Sequence, residues 1–328
     1  MKNKPVTLRF LRWPNPVSTG DRVFATLLEK ALKRPVQITL DERGKVDIEI
    51  ESVYGYQELP NLTSRAYRFL ASHGRGGIDF SKARYSTNQQ PSGNARFSIF
   101  FTGENERPPF GNWDAYLSFD QNSYGGRNAY LPLWWLTSSD LIEPVVSPYL
   151  GKSITIEEML NPRRPTWGSR KKFCVAFIGK AYPFRMQAIA ALSKIGKIDV
   201  FGGISRNQNR SAAQKKYDTA QNYKFVFAFE NDLFPGYVTE KAPEAWATGA
   251  VPLYWGLDTC GYINQKSLLN LVNFDNLEEY VERVGEVSKS AKLWSEIAEQ
   301  PFLAKKPNLE EVLSVLRRAL HPLVNNKS

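Results

Sequence analysis

Polar and charged residues follow a short apolar run in the second half of the chain. Glu230-Asn231-Asp232 come directly after residues 225–229, and Tyr237, Glu240 and Lys241 follow shortly afterwards. A run this short and aromatic is typical of a buried strand, so the first polar group is expected at that strand's end. A lysine can bind a phosphate, and a glutamate can accept hydrogen bonds from hydroxyl groups. These residue types therefore favour a site for a nucleotide sugar.

The following residues predict a helix and a second strand. Pro243 is tolerated only in a helix's first turn, so the helix should begin near Thr239 or Glu240. Gly249 can end this helix, and residues 251–255 predict another buried strand. Ligands of open parallel sheets bind at the carboxyl ends of the strands, and helix N-termini favour anions. This unit therefore places its polar residues where a phosphate would bind.

The segment YKFVFAFEN, followed by GYVTEK and AWATGAVPLYWG, resembles the signature of the α-1,3-fucosyltransferases, which use GDP-fucose. An ordinary Rossmann-like unit would explain the strands and the helix, but not FEN followed by YVTEK. The resemblance implies that several residues of this segment bind the donor. They are Asn231, Tyr237, Glu240 and Lys241, with Lys224 and Glu230 as further candidates.

Two earlier segments repeat the pattern of a strand followed by a polar or glycine-rich turn. Residues 173–177 predict a strand that precedes a helix through Arg185, and residues 198–201 predict another. The resemblance implies that Arg185 contacts the donor phosphates, with an ordinary basic surface residue as the alternative. The resemblance also implies that Gly202, Gly203 and Arg206 belong to a loop that lies beside the nucleotide.

Two carboxylates follow a predicted strand in the first half of the chain. Residues 97–101 predict the strand, and Glu104 and Glu106 come just past its end, before Pro108. On position alone, a charged surface turn is an alternative. The segment GENE resembles one in bacterial fucosyltransferases, in which a glutamate is taken as the catalytic base. The resemblance implies that Glu104 is this base, with Glu106 as its rival.

The length of 328 residues allows two domains. Alternating strands and helices predict mostly parallel sheets. The resemblance implies the GT-B arrangement, an α/β fold in which two Rossmann-like domains face a cleft. The predicted parts are an acceptor domain over 1–150, a linker over 151–169, a GDP-fucose domain over 170–305, and a C-terminal helix and tail over 306–328.

Three local patterns add expectations that a structure can test. Residues 46–51 alternate apolar and acidic side chains, which predicts a strand with one solvated face. Residues 130–135 resemble a strand of the acceptor domain, whose Trp134 and Trp135 belong either to the core or to the acceptor site. Residues 310–320 are amphipathic and are expected to pack onto the first domain, with contact to a membrane surface as the alternative.

The formal net charge of +10 favours anionic partners. Nucleic acid is not expected, because the cations are scattered and no recognition motif is present.

Cys174 and Cys260 suit neither a disulfide framework nor a metal site. No apolar run approaches the length of a membrane span. We expect a cytoplasmic enzyme of the bacterial type, with peripheral contact to an anionic inner-membrane surface as a further option and the oligomeric state left open.

The resemblance implies an inverting transfer of L-fucose from GDP-β-L-fucose to the 3-hydroxyl of GlcNAc in a lactosamine-type acceptor. Such α-1,3 products are typical of Lewis antigens, lipopolysaccharide and glycoproteins. The alternatives are another nucleotide sugar or another linkage, such as α-1,4. No two aspartates stand two positions apart, so a DXD-bound metal is not expected. Arg185 and Lys241 would supply the charge, and no cofactor is obligatory, although a divalent metal could stimulate.

Overall fold

The computed structural model describes residues 4–13, 22–41, 44–53, 84–85, 90–109, 111–147, 150–202 and 216–324. Within these ranges the strands are β1 Val6–Leu11, β2 Val36–Ile38, β3 Val46–Ser52, β4 Arg84–Tyr85, β5 Ala95–Phe101, β6 Glu106–Arg107, β7 Ala115–Ser118, β8 Asn128–Tyr130, β9 Lys172–Phe177, β10 Ile198–Phe201, β11 Tyr223–Phe229, β12 Val251–Trp255 and β13 Leu269–Asn270. The α-helices are α1 Arg22–Leu32, α2 Leu133–Thr137, α3 Ile156–Leu160, α4 Pro183–Leu192, α5 Lys216–Ala220, α6 Lys241–Ala247, α7 Leu277–Lys289, α8 Ala291–Ala298, α9 Leu309–Ala319 and α10 His321–Val324.

The chain divides into two compact units, residues 1–131 with 309–328 and residues 132–308. Helix α9 belongs to the first unit, where it contacts α1, β7 and β8. Its apolar face, which includes Val312 and Leu316, is buried. The expected packing of this helix is therefore confirmed. In the described part of the chain, no helix is long and apolar enough to cross a membrane.

The segment predicted as a linker, residues 151–169, is an ordered part of the second unit. It contains α3, whose first turn is closed by a capping box between Thr155 and Glu158. Arg163 donates to a backbone carbonyl just before β12 and to another at the end of α8, at 3.0 and 2.8 Å. The prolines of this segment therefore lie in chain that is bound to the unit, and the division between units lies earlier, after Leu131.

Six parallel strands form the sheet of the first unit, in the order β2-β1-β3-β5-β7-β8. The prediction of a solvated face on β3 is wrong, because Glu49 and Glu51 are fully buried. Arg9 pairs with Glu49 at 2.7 Å, and Arg12 pairs with Glu51. A buried carboxylate is tolerated where a guanidinium group compensates its charge.

Five parallel strands form the sheet of the second unit, in the order β10-β9-β11-β12-β13. The aromatic side chains of Phe225, Phe227 and Phe229 contribute to a core that includes α4, α7 and α8. Helix α6 connects β11 to β12, and Gly249, with a φ of 83°, lies between its end and β12. The predicted unit of strand, helix and strand is thus confirmed.

The prediction of a strand over residues 130–135 is wrong. Strand β8 ends before Pro132, which is the N-cap residue of the short helix α2. Trp134 and Trp135 are buried in this helix and pack edge to face against Tyr262. Both tryptophans therefore belong to the core of the second unit.

Candidate active site

The loop after β11 carries most of the predicted donor-binding residues. Glu230 follows the strand directly and is fully buried. Gly236 has a φ of 82°, which permits the turn in which the Tyr237 N–H donates to the Phe234 carbonyl at 3.0 Å. The loop ends at Glu240, the N-cap residue of α6. A carboxyl end of a strand and a helix N-terminus are thereby joined by one short segment.

The buried carboxylate of Glu230 holds this segment in place through hydrogen bonds. Its carboxylate accepts hydrogen bonds from the Thr239 N–H and hydroxyl at 2.8 and 2.7 Å, and from the Tyr254 hydroxyl at 3.3 Å. Burial raises the pKa of Glu230, and the Lys241 charge and the Thr239 donors oppose that rise only in part. Because its oxygens are engaged by the protein, Glu230 suits the role of positioning Thr239 and Lys241.

Lys241 places a cation at the start of α6. Its Nζ lies 3.0 Å from the Thr239 hydroxyl oxygen, 3.3 Å from Glu230 and 3.9 Å from Glu240. Burial alone would lower the pKa of Lys241, but the carboxylates of Glu240 and Glu230 outweigh it and raise the pKa above its ordinary value. Lys241 therefore keeps its charge although its side chain is only 19% exposed.

Arg185 lies in the first turn of α4, which begins with Pro183. Its side chain is almost fully buried, and its Nη1 donates to the Asn231 side-chain oxygen at 3.1 Å. Its Nε has no acceptor among the described residues. Burial lowers the pKa of Arg185, and the negative charge of Glu230 is the first of the groups that oppose this shift. An anion beside this guanidinium group would compensate a buried charge.

The structure brings the main predicted donor-binding residues together. Besides the direct contacts of Arg185, Asn231, Glu230 and Lys241, the carboxylate of Glu240 and the hydroxyl group of Tyr237 are among the groups that oppose the lowering of the Arg185 pKa. Carboxylates, an amide and two cations thus share one edge of the second sheet. The arrangement can bind an anion and hydrogen-bond to hydroxyl groups.

Sequence reasoning missed two residues beside this group. Lys216 at the start of α5 lines a small cavity together with Arg185 and Lys241. Its Nζ lies 2.9 Å from the carboxylate of Glu244, which also accepts a hydrogen bond from the Ser147 hydroxyl. Neither Lys216 nor Glu244 has a sequence signal of its own, because charged residues are ordinary in helices.

Lys224 does not lie at the edge of the second sheet where Glu230, Asn231 and Lys241 are grouped. It is the second residue of β11, whereas Glu230 follows the strand's last residue. Its Nζ donates to the Ser288 carbonyl at 2.8 Å and lies 3.9 Å from the centre of the Trp167 ring. Burial lowers the pKa of Lys224. The structure therefore gives this lysine a packing role at the opposite end of the strand.

Gly202 lies directly after β10, with a φ of 113°. A Cβ atom at this position would lie 2.4 Å from the Ile178 carbonyl oxygen, so the close approach of these two segments requires glycine. The carboxyl end of β10 lies at the same edge of the sheet as that of β11, since both strands run parallel to β9. Gly203 and Arg206 lie outside the described residues.

The predicted base, Glu104, lies in the first unit on the loop after β5. Its side chain is partly exposed, and Glu106, its rival, begins the two-residue strand β6. Both residues are thus partly buried. The assignment of the base to one of them stays a prediction.

Comparison with known proteins gives one family match. Residues 167–298 match the model described as glycosyltransferase family 10 (fucosyltransferase) C-term. The α-(1,3)-fucosyltransferase FucT of Helicobacter pylori is 26% identical over 206 residues, which are 57% of this chain and 43% of that protein. A putative fucosyltransferase-like protein of Arabidopsis thaliana is 37% identical over 102 residues, which are 30% of this chain and 19% of that protein. The chain therefore spans less than half the length of these relatives.

Solved structures show the fold. The crystal structure of an α1,3-fucosyltransferase with GDP-fucose has a TM-score of 0.64 at 18% identity, and the match covers 100% of this chain and 94% of that chain. The crystal structure of an α1,3-fucosyltransferase with GDP matches with the same TM-score. The predicted fold class, an α/β protein of the GT-B type with two parallel sheets, is confirmed.

Proposed function

We propose that the protein transfers L-fucose from GDP-β-L-fucose to an oligosaccharide, on the premise that residues 167–298 match the model of glycosyltransferase family 10. The observation that carries the proposal is the convergence of Arg185, Asn231 and Lys241 at the carboxyl edge of a parallel sheet. Two cations and a helix N-terminus at such an edge fit a nucleoside diphosphate.

In the proposed reaction, Glu104 takes the proton from the acceptor hydroxyl while the oxygen attacks C1 of fucose. The new C–O bond forms as the bond between C1 and the β-phosphate oxygen breaks, and GDP leaves with the bonding electrons. One such displacement inverts the β-linkage of the donor and yields an α-fucoside. A positioned base contributes about 10²–10⁴-fold to the rate.

Arg185 and Lys241 are proposed to stabilise the charge that develops on departing GDP. Preorganised cations in a site that excludes water are effective in this role. No three His, Cys, Asp or Glu side chains in the described ranges are grouped as a metal ion would require. We propose that no metal is obligatory, because Arg185 and Lys241 can supply the positive charge that a metal ion would otherwise provide.

The proposed acceptor is the 3-hydroxyl of GlcNAc in a lactosamine unit, carried by a surface polysaccharide, a glycoprotein or a free oligosaccharide. The H. pylori relative, named an α-(1,3)-fucosyltransferase, supports this linkage. We also propose a cytoplasmic location with reach to glycolipids at the inner membrane, consistent with the buried, reduced thiol of Cys174.

Transfer of labelled fucose to a glycan array tests the proposal. We expect GDP-fucose to label N-acetyllactosamine, and an array glycan with its GlcNAc 3-hydroxyl blocked to stay unlabelled. GDP-mannose, UDP-galactose and UDP-GlcNAc should give no transfer. Labelling of the blocked glycan would favour another linkage, and transfer from one of the other donors would overturn the assigned donor.

A further inference from the structure

The loop after β5 is fixed at its first end by the neighbouring strand. The Thr102 N–H donates to the Leu117 carbonyl of β7 at 3.1 Å, and the Thr102 hydroxyl donates to the Glu104 carbonyl at 3.0 Å. The N–H of Glu106 donates to the same Glu104 oxygen at 2.7 Å. These bonds hold residues 102–106 in one tight turn with Glu104 at its middle.

An ion pair fixes the second end of the loop. Arg107 follows Glu106 in β6, and its Nε lies 2.7 Å from the Oδ2 atom of Asp120. The side chain of Arg107 is 17% exposed and that of Asp120 only 2%. A pair so far removed from solvent interacts more strongly than a surface pair.

Asp120 is held in its orientation by its own segment. Its Oδ1 accepts from the Asn122 N–H and side-chain amide at 2.9 and 2.7 Å, and its Oδ2 accepts from the Tyr124 hydroxyl at 2.7 Å. Burial would raise the pKa of Asp120, but these donors and Arg107 outweigh it and lower the pKa below its usual value. The carboxylate therefore remains charged and cannot easily turn away from Arg107.

We propose that Asp120 is a positioning residue that sets the place of Glu104 through Arg107. The inference rests on the proposed role of Glu104 as the base. A base must lie within about 2.6–3.2 Å of the group whose proton it takes. A displacement of about 1 Å in an active site can cost about 10²-fold in rate. Asp120 thus governs turnover without touching the substrate.

Asp120→Asn tests this role, because it preserves the size of the side chain and removes the charge that holds Arg107. We expect kcat to fall about tenfold, an intermediate loss on the scale of such displacements, with the Kd for GDP within about twofold of wild type. Asp114→Asn is the matched control. Asp114 accepts from the Ser98 N–H and hydroxyl at 2.7 and 3.0 Å, near the other end of the same two strands. The Asp114→Asn substitution should lower the unfolding temperature and leave kcat unchanged.

A double-mutant cycle that combines Asp120→Asn with Glu104→Gln shows whether Asp120 positions Glu104 or only stabilises the fold. If Asp120 acts through Glu104, Asp120→Asn should reduce kcat by less than about twofold once Glu104 is glutamine. Additive losses, or an equal kcat loss in Asp114→Asn, would overturn the positioning role alone. Wild-type turnover in Glu104→Gln would overturn the base assignment and this proposal with it. Should Asp120→Asn not fold, Arg107→Lys weakens the same contact and serves in its place.

Discussion

Replacement of Lys241 by methionine is the most direct test of the donor site. The change keeps most of the apolar stem and removes the Nζ that contacts Thr239 and Glu230. A hydrogen bond to a charged group contributes about 1.5–3 kcal/mol. If Nζ also binds the diphosphate, the Kd for GDP should therefore rise by about 10–150-fold. Isothermal titration calorimetry with GDP measures this change.

The same change should affect stability in a pH-dependent way. Loss of one partner of a buried ion pair costs about 3–5 kcal/mol, and we expect the lower end because Thr239 and Tyr254 still donate to Glu230. The folded-state pKa of Glu230 lies above its unfolded value. Its contribution to stability is thus fully present below the unfolded pKa, about 4.3, and is lost as the pH rises through the folded pKa. The variant's deficit should shrink on acidification towards that value.

Two controls make this test specific. Lys224→Met removes another partly buried lysine of the second unit, at the opposite end of β11, and should leave the Kd for GDP unchanged. Glu230→Gln with Lys241→Met removes both charges, and should recover stability at neutral pH without recovering GDP affinity. Unchanged GDP affinity in folded Lys241→Met, or an equal loss in Lys224→Met, would refute the assignment of Lys241.

Two further predictions concern catalysis. Glu104→Gln should lower kcat by about 10²-fold or more while the Kd for GDP-fucose stays within a few-fold, because a base acts only in the transition state. Glu106→Gln should be milder, and the reverse order in parallel kinetics would transfer the role of base to Glu106. Transfer rates should largely survive excess EDTA, and a complete loss of activity that manganese restores would reveal a required metal.

The unit around α6 could be predicted because its rules are local. Pro243 is compatible only with the first turn of a helix, and α6 indeed begins at Lys241. Gly249 has the positive φ that marks the end of the helix. The sequence order of strand, loop and helix then places Asn231 and Lys241 at one sheet edge.

Lys224 shows where motif membership is insufficient. It belongs to the same segment as Glu230, but a strand rises about 3.3 Å per residue, so the two ends of β11 lie roughly 20 Å apart. A shared signature says that residues occur together in the sequence. Only the direction of the strand shows which of them can reach one ligand.

The prediction of a solvated face on β3 was wrong for a different reason. Period-two alternation places Glu49 and Glu51 on one face of the sheet, but it does not show what covers that face. Their partners are Arg9 and Arg12, from a segment about forty positions earlier in the chain. Partners so distant in sequence come together only in the folded sheet, so the pattern alone could not distinguish a solvated face from a paired one.

The two cations of the proposed donor site, Lys241 and Arg185, differ in how far the carboxylates of the protein already compensate their charge. Lys241 is surrounded by Glu230 and Glu240, which keep it charged before any ligand arrives. Arg185 has no carboxylate within ion-pair distance among the described residues, and it donates to the neutral amide of Asn231. A bound diphosphate would therefore compensate the charge of Arg185 more completely than that of Lys241. If the proposed donor site is correct, we expect Arg185 to contribute more to the binding of the anion and Lys241, whose position the protein fixes in advance, to stabilise the departing phosphate.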